Sequence, residues 1–379
     1  MSQNRAEALT RLDGVQRVVI KVGTSLLTDP AAPQSADRGM IEKLREEILF
    51  LRERGIETVL VSSGSVGMGR EMLKEIISYT PLANPNLVRR QALAAVGQSR
   101  LISVYGEIFS EKKLPVAQLL ITARDFHDRR SYLNIGNTLE ELIALGVTPI
   151  VNENDTVSVD ELRYGDNDVL SAAVASLFRA ELLVILTSVS GFLMNGERVS
   201  FLPDIGEKEE EQAGGPEGPG SGGMITKLRA GRLCRLGGEL LAILPGRAAT
   251  PLRSLFRGED IGTLIGGEHR RKLSARKRWL LYALPQGRIT VDRGARTALL
   301  ERGSSLLPAG ALNTRGHFLA GDVIDIADED GLVLGRGLSN YSYREVRPLM
   351  GRNAETLRAQ GSILRAPEII HRNNMILES

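Results

Sequence analysis

Short, mostly apolar runs recur along the first two-thirds of the chain, and between them lie stretches whose apolar residues fall at helical spacing. R-V-V-I-K-V at Arg17–Val22, Glu57–Ser62, Pro115–Ile121, Val147–Val151, L-L-V-I-L-T at Leu182–Thr187 and Glu239–Leu244 each have strand length and are largely without polar alternation. A strand of that kind is buried on both faces. Between them, Asp37–Arg54 sets Ile41, Leu44, Ile48 and Leu51 on one helical face. Ala92–Phe109, Ser131–Leu145, Asp168–Arg179 and Met224–Leu236 read as helices too. Buried strands that alternate with helices predict an α/β fold: a three-layer α/β/α sandwich with a mostly parallel central sheet. Ligands bind such sheets at the carboxyl ends of the strands.

Near residue 270 the texture changes. His269–Trp279 is rich in arginine and lysine and reads as a linker running into a new strand. From Gly287 onward, short runs such as I-T-V at Ile289 are broken by Gly294, Gly303, Gly310, Gly316 and Gly321, the pattern of a small, mostly β module. Ala213–Gly223 follows the acidic run Glu207–Glu211 and reads as a Gly/Pro/Ser-rich surface loop.

Composition removes several classes of function. A net charge of +2 over 379 residues argues against coating nucleic acid or membrane. The single cysteine, Cys234, excludes an intrachain disulfide and fits a reducing, cytoplasmic setting. Met1–Gly14 is polar and lacks the apolar core of a signal peptide, and no apolar run approaches a membrane span. The four histidines, His127, His269, His317 and His371, lie far apart, which argues against a histidine-based metal site or triad.

Four loops carry candidate chemistry. K-V-G-T-S, Lys21–Ser25, ends a strand with small residues beside a lysine, which suits a phosphate; it also suits a tight turn with a solvated lysine. S-S-G-S-V-G-M-G, Ser62–Gly69, permits close approach of backbone to a ligand, or simply a tight turn into a helix. N-E-N-D, Asn152–Asp155, ends another strand, and G-D-N-D, Gly165–Asp168, opens a helix. Amides and carboxylates so concentrated suit an amino acid's ammonium and carboxylate, although Asp166 or Asn167 could also serve as helix caps. S-G-G-M-I-T-K, Ser221–Lys227, opens a helix with glycines and puts Thr226 and Lys227 one turn in, where free N–H groups favour phosphate; a flexible loop into a surface helix reads equally well. The Walker pattern is absent.

Together these loops fit phosphoryl transfer, which needs positioning and charge neutralisation more than covalent chemistry. A glutamate side chain, with a pKa of about 4.3, is ionised at neutral pH and needs no general base as a nucleophile. The cations would come from Lys21 and Lys227 together with Mg²⁺.

At these residues the chain resembles the amino acid kinase family. The matching segments are K-V-G-T-S, S-S-G, Q-A-L-A-A-V-G-Q-S-R-L (Gln91–Leu101), V-N-E-N-D, G-D-N-D, G-G-M-I-T-K and R-K-R-W (Arg276–Trp279). I-T-V-D-R-G-A (Ile289–Ala295) and L-E-R-G-S-S-L-L-P (Leu300–Pro308) resemble the PUA domain appended to bacterial members. The resemblance implies a kinase domain over 14–270, a linker over 271–286, a PUA-like domain over 287–367 and a tail over 368–379. It implies ATP-dependent phosphorylation of the L-glutamate side chain to γ-glutamyl phosphate, the first step of proline synthesis. It assigns Lys21 and Lys227 to the transferring phosphoryl group, Asp168 to orienting them, and Ser63, Asp155 and Asn167 to glutamate. Lys21, Thr187, Ser188, Ser221, Gly222, Gly223, Met224, Ile225, Thr226 and Lys227 would line the ATP site. Mg²⁺ would be held mainly by the ATP phosphates, with no metal ligand assigned to the protein. Homo-oligomerisation, delivery of the acyl phosphate to glutamyl phosphate reductase and feedback inhibition by proline follow from the same resemblance.

The chain also departs from the family. Similar enzymes carry T-D-x-x-G where this chain has T-S-V-S-G, Thr187–Gly191, so Ser188 stands in place of an acid, and Met194–Gly214 is unusual in sequence. Two alternatives stay open on the residues alone: a kinase of aspartate, N-acetylglutamate or carbamate, or an RNA-binding protein with a degenerate kinase domain. Nine arginines against eight carboxylates between Gly287 and Arg352 argue against RNA and leave a regulatory or assembly role for the PUA-like part.

Overall fold

The computed structural model describes residues 3–28, 36–74, 86–158, 167–214, 223–266, 273–353 and 365–377. The chain divides into two compact units, Met1–Lys272 and Leu273–Ser379.

The first unit is built on an eight-stranded sheet. Its strands are β1 (Arg17–Val22), β2 (Glu57–Ser62), β3 (Val116–Ile121), β4 (Thr148–Glu153), β5 (Leu182–Thr187), β8 (Phe201–Leu202), β9 (Leu240–Pro245) and β10 (Thr263–Ile265). A separate two-residue hairpin of β6 (Leu193–Met194) and β7 (Glu197–Arg198) stands outside it. The order is β3-β4-β2-β1-β5-β9-β10-β8. Every pair from β3 to β9 is parallel; β10 runs antiparallel to β9 and parallel to β8. In β1, β2, β4, β5 and β9 five residues of six are buried, as continuous apolar runs require.

Helices cover both faces. Val18, Ile20 and Val22 of β1 join a core with Ile41, Leu44, Ile48 and Leu51 of helix Arg38–Glu53 and Leu101, Val104, Tyr105 and Ile108 of helix Leu87–Ser110. Side chains alternate across a strand, so Val19 and Lys21 point to the other face. Helix Asn167–Phe178 packs there, with Asp168 through Phe178 buried and apolar apart from Asp168, Ser171 and Ser176, and helix Met224–Gly237 packs beside it. The strands and helices expected from periodicity are present, with ends shifted by a few residues. None of the described helices is long and apolar enough to cross a membrane.

Helices Ser65–Lys74 and Leu87–Ser110 touch backbone to backbone. A Cβ on Gly69 would lie 1.9 Å from the Leu93 carbonyl oxygen, and one on Gly97 would lie 1.8 Å from that of Ser65. Both contacts span one helical turn, 65 to 69 and 93 to 97, so two glycines set how closely the helices cross.

The second unit holds a five-stranded sheet of β11 (Gly287–Val291), β12 (Ala311–Gly316), β13 (Val323–Ala327), β14 (Val333–Leu338) and β15 (Met375–Leu377), in the order β12-β11-β13-β14-β15. Ile289, Val291, Leu299, Phe318, Ile324 and Ile326 are in its core. Two expectations need correction. The basic stretch before residue 287 does not run into a strand: Ala275–Tyr282 is a helix with Trp279 to Tyr282 buried, and Ser274 caps it by accepting from the Lys277 N–H at 3.4 Å. An apolar block as short as Trp279–Tyr282 suits a buried strand or a buried helix alike, and the capped turn before it makes it the end of a helix. The segment taken as a tail carries β15, paired with β14, and Ile369 and Ile370 before it are fully buried. His269–Lys272 lie outside the described residues, as does most of the loop expected over Ala213–Gly223.

Gly97→Ala is expected to cost about 2 kcal/mol of stability, since the added methyl meets backbone rather than a movable side chain. Thermal and denaturant unfolding measure it; a variant as stable as the wild type would show that the helices are not in contact at this point.

Candidate active site

The first turn of helix Asn167–Phe178 brings two clusters together at the carboxyl ends of the central strands. Asp168 is fully buried in that turn. Its Oδ1 lies 2.5 Å from Lys21 Nζ, which β1 delivers by the parity of its pleat. Its Oδ2 lies 3.0 Å from Lys227 Nζ, one turn into helix Met224–Gly237. The Thr226 hydroxyl lies 2.9 Å from Asp168 Oδ2 and 2.8 Å from the Gly223 carbonyl oxygen, and donates toward both. Lys21 and Lys227 are each only 6% exposed. Burial pushes the Asp168 carboxyl up, but the charges and hydrogen bonds of Lys21 and Lys227 outweigh it and hold the group below its ordinary value. Asp168 is therefore an anion at neutral pH, and the trio carries two positive charges against one negative.

The neighbouring residue heads the second cluster. Asn167 Nδ2 donates to Ser63 Oγ at 2.6 Å, just past the end of β2. Asn167 Oδ1 is buried and has no hydrogen-bond partner among the described residues. Gly64 between the two serines takes a φ of 109°, a left-handed backbone open to glycine. Ser65 Oγ then donates to Asp155 Oδ2 at 3.0 Å, in the turn after β4. Asn152, 1% exposed, donates from Nδ2 to Gln98 Oε1 at 2.8 Å, and its Oδ1 accepts the Glu153 N–H at 2.9 Å.

Residues far apart in the chain thus meet. Lys21, Asp168 and Lys227 form one contact group, and Ser63 with Asn167 and Asp155 with Ser65 form the adjoining one. Thr187 ends β5, the parallel neighbour of β1, and Ser188 follows it, so they stand on the same carboxyl edge; Ser188 is exposed. Gly223, Met224 and Ile225 are half-buried at the start of their helix. Ser221, Gly222, Gly165 and Asp166 lie outside the described residues. Among the described residues no three His, Cys, Asp or Glu side chains converge as a metal site. Sequence reasoning missed Ser65, Gln91 and Gln98, and it gave Thr226 only to nucleotide. The glutamines had a signal: they flank the apolar run Ala92–Gly97 seven positions apart, on one helical face.

The profile of the amino acid kinase family matches residues 16–239, and that of the PUA domain matches residues 287–360. A protein of Dictyoglomus thermophilum named Glutamate 5-kinase is 40% identical over 370 residues, 96% of this chain and 97% of its own length. The protein of that name from Chromohalobacter salexigens is 40% identical over 386 residues and the whole of both chains. That from Geobacillus kaustophilus is 38% identical over 374 residues, 95% of this chain and 97% of its own. The chain belongs to the amino acid kinase family. Its full-length relatives place it, within that family, among the glutamate 5-kinases.

Asp168→Asn removes the anion and leaves two buried ammonium groups facing each other, at a cost of about 3 kcal/mol. The folded carboxyl is depressed, so its stabilisation is present above the unfolded value of about 3.9 and is lost as pH falls through the folded one. The difference in unfolding free energy between wild type and variant is expected to be flat from pH 7 to about 5 and to shrink below about 4. A difference that grew toward acid pH would contradict the depressed carboxyl.

Proposed function

We propose that the two clusters are the phosphoryl and amino-acid subsites of one cleft, in which the γ-phosphoryl group of ATP passes to the side-chain carboxylate of L-glutamate. A carboxylate oxygen attacks Pγ, the bond from Pγ to the bridging oxygen breaks, and ADP leaves with γ-glutamyl phosphate as the other product. No proton moves, so no general base is required. Lys21 and Lys227 neutralise the charge spread over the migrating group, and Asp168 holds both ammonium groups at fixed separation. The observation that carries this reading is the shared carboxylate, 2.5 and 3.0 Å from lysines 206 positions apart in sequence.

Glutamate fits the second cluster. Asp155 and the buried Asn167 Oδ1, an acceptor in want of a donor, suit its ammonium group. Ser63 and the N–H groups that open helix Ser65–Lys74 suit its α-carboxylate. Thr187, Ser188 and residues 223–227 line the nucleotide side. The Asp168 carboxylate between the two lysines is engaged by both of them, which fits Mg²⁺ held by the ATP phosphates. Mg²⁺ supplies further positive charge to those phosphates. Residues 14–270 form the kinase domain, and the PUA-like domain runs from residue 287 through β15, with a regulatory or assembly role. The same reading places the enzyme in the cytoplasm as a homo-oligomer under proline feedback, handing its labile product to glutamyl phosphate reductase.

Hydroxylamine traps acyl phosphates, so ATP with L-glutamate is expected to give hydroxamate, and aspartate, N-acetylglutamate or carbamate none. Product from one of the other acids alone would move the chain to a different branch of the family. Lys227→Ala is expected to lower kcat by about a hundredfold or more while changing the KM for glutamate less than threefold, because its charge acts chiefly in the transition state. An unchanged kcat would remove Lys227 from the mechanism.

A further inference from the structure

Helix Leu87–Ser110 places two glutamines, Gln91 and Gln98, seven residues apart. Seven residues are almost two turns, so both side chains leave the same face, about 10 Å apart along the axis. Gln98 reaches the end of β4, and Gln91 reaches the segment that follows it. Gln91 Nε2 donates to the Ser158 carbonyl oxygen at 3.2 Å. Gln98 Oε1 accepts from Asn152 Nδ2 at 2.8 Å. The segment between these two points would span about 20 Å if extended. It does not run extended but folds back in a turn in which the Val157 and Ser158 N–H groups both donate to the Asn154 carbonyl oxygen at 3.1 Å. Asp155 lies in that turn and accepts from Ser65 Oγ.

We propose that Gln91 and Gln98 are positioning residues for the amino-acid subsite, holding the two ends of the Asn152–Ser158 segment so that its turn presents Asp155 to the substrate. The inference rests on the assignment of Asp155 to glutamate made above. Gln98 is the stronger of the two points. Asn152 is buried, its own Oδ1 is taken by the Glu153 N–H, and Gln98 Oε1 is the acceptor recorded for its amide. Loss of that acceptor leaves a buried donor unsatisfied at the root of the turn. Gly97, the residue beside Gln98, packs against the Ser65 carbonyl oxygen so closely that no side chain fits between. One helix therefore fixes both neighbours of Asp155: Ser65 through Gly97, and the Asn152–Ser158 segment through the glutamines. Neither glutamine is among the residues assigned to the substrate.

Steady-state kinetics on purified full-length variants test this. Gln98→Leu is expected to raise the KM for glutamate about tenfold and to leave the KM for ATP within about twofold. Gln98→Glu keeps an acceptor oxygen on the same stem and is expected to return the KM for glutamate to within about threefold of wild type. Gln91→Leu, which removes a half-buried bond, is expected to raise it about threefold and serves if Gln98→Leu does not fold. An unchanged KM for glutamate in the leucine variants, or a rise equal for both substrates with no recovery in Gln98→Glu, overturns the proposal. Asp155→Asn distinguishes the two layers. If it raises the KM for glutamate while the leucine variants do not, the glutamine role alone fails. If it leaves that KM at the wild-type value, the subsite assignment fails and the inference falls with it.

Discussion

A carboxylate with essentially no access to water, held between two ammonium groups, organises the first unit of this protein. Burying any one of these charges alone would be prohibitive, and burying all three is tolerable only because the geometry is close: 2.5 and 3.0 Å to the two carboxylate oxygens. That requirement couples three elements. β1 must keep its pleat so that Lys21 faces away from Ile20 and Val22; helix Asn167–Phe178 must start where it does; and helix Met224–Gly237 must bring Lys227 in after a single turn. The trio is a poor way to gain stability and a good way to hold two cations at a fixed separation. The surplus positive charge then lies at the carboxyl edge of the sheet, where a transferring phosphoryl group needs it.

The amino-acid side of the cleft depends on polar contacts that reach outward in steps. Asn167 meets Ser63, Ser65 meets Asp155, and Asn152 meets Gln98. The first two steps lie on loops or helix starts, and the third joins the end of β4 to the middle of helix Leu87–Ser110. The glycine crossing of helices Ser65–Lys74 and Leu87–Ser110 is the most rigid anchor here, because backbone meets backbone with no side chain free to adjust.

Long, strongly patterned elements were legible without coordinates. The strands Arg17–Val22, Glu57–Ser62 and Leu182–Thr187 have the bounds their apolar runs suggest, and Asp37 caps its helix by accepting from the Met40 N–H at 2.9 Å. Short elements were not. β8 and β10 have two and three residues, too few for any period to show. The stretch noted only as unusual holds the β6–β7 hairpin, whose turn residues Asn195 and Gly196 take φ of 53° and 83°. Asn-Gly is the dipeptide such a turn favours, so a signal was present and went unread. β15 was passed over because an edge strand of three residues gains its identity from the strand it joins, and so was helix Ala275–Tyr282, whose charged first half hides a buried second half.

By itself the sequence determined the alternation of buried strands with helices, and with it the parallel sheet and the carboxyl edge on which a ligand binds. It also supplied the chemistry of the site, since lysines, serines, amides and carboxylates stand at strand ends and helix starts where their roles are local. What only the tertiary structure decided is which of these residues meet. Asp168 is 147 positions from Lys21 and 59 from Lys227, and no local rule reports that one carboxylate bridges both. The Gln98–Asn152 bond, across 54 positions, belongs to the same class. The reason is physical: periodicity is a property of neighbours along the chain, whereas the pairing of buried charges and amides is set by how separate elements pack.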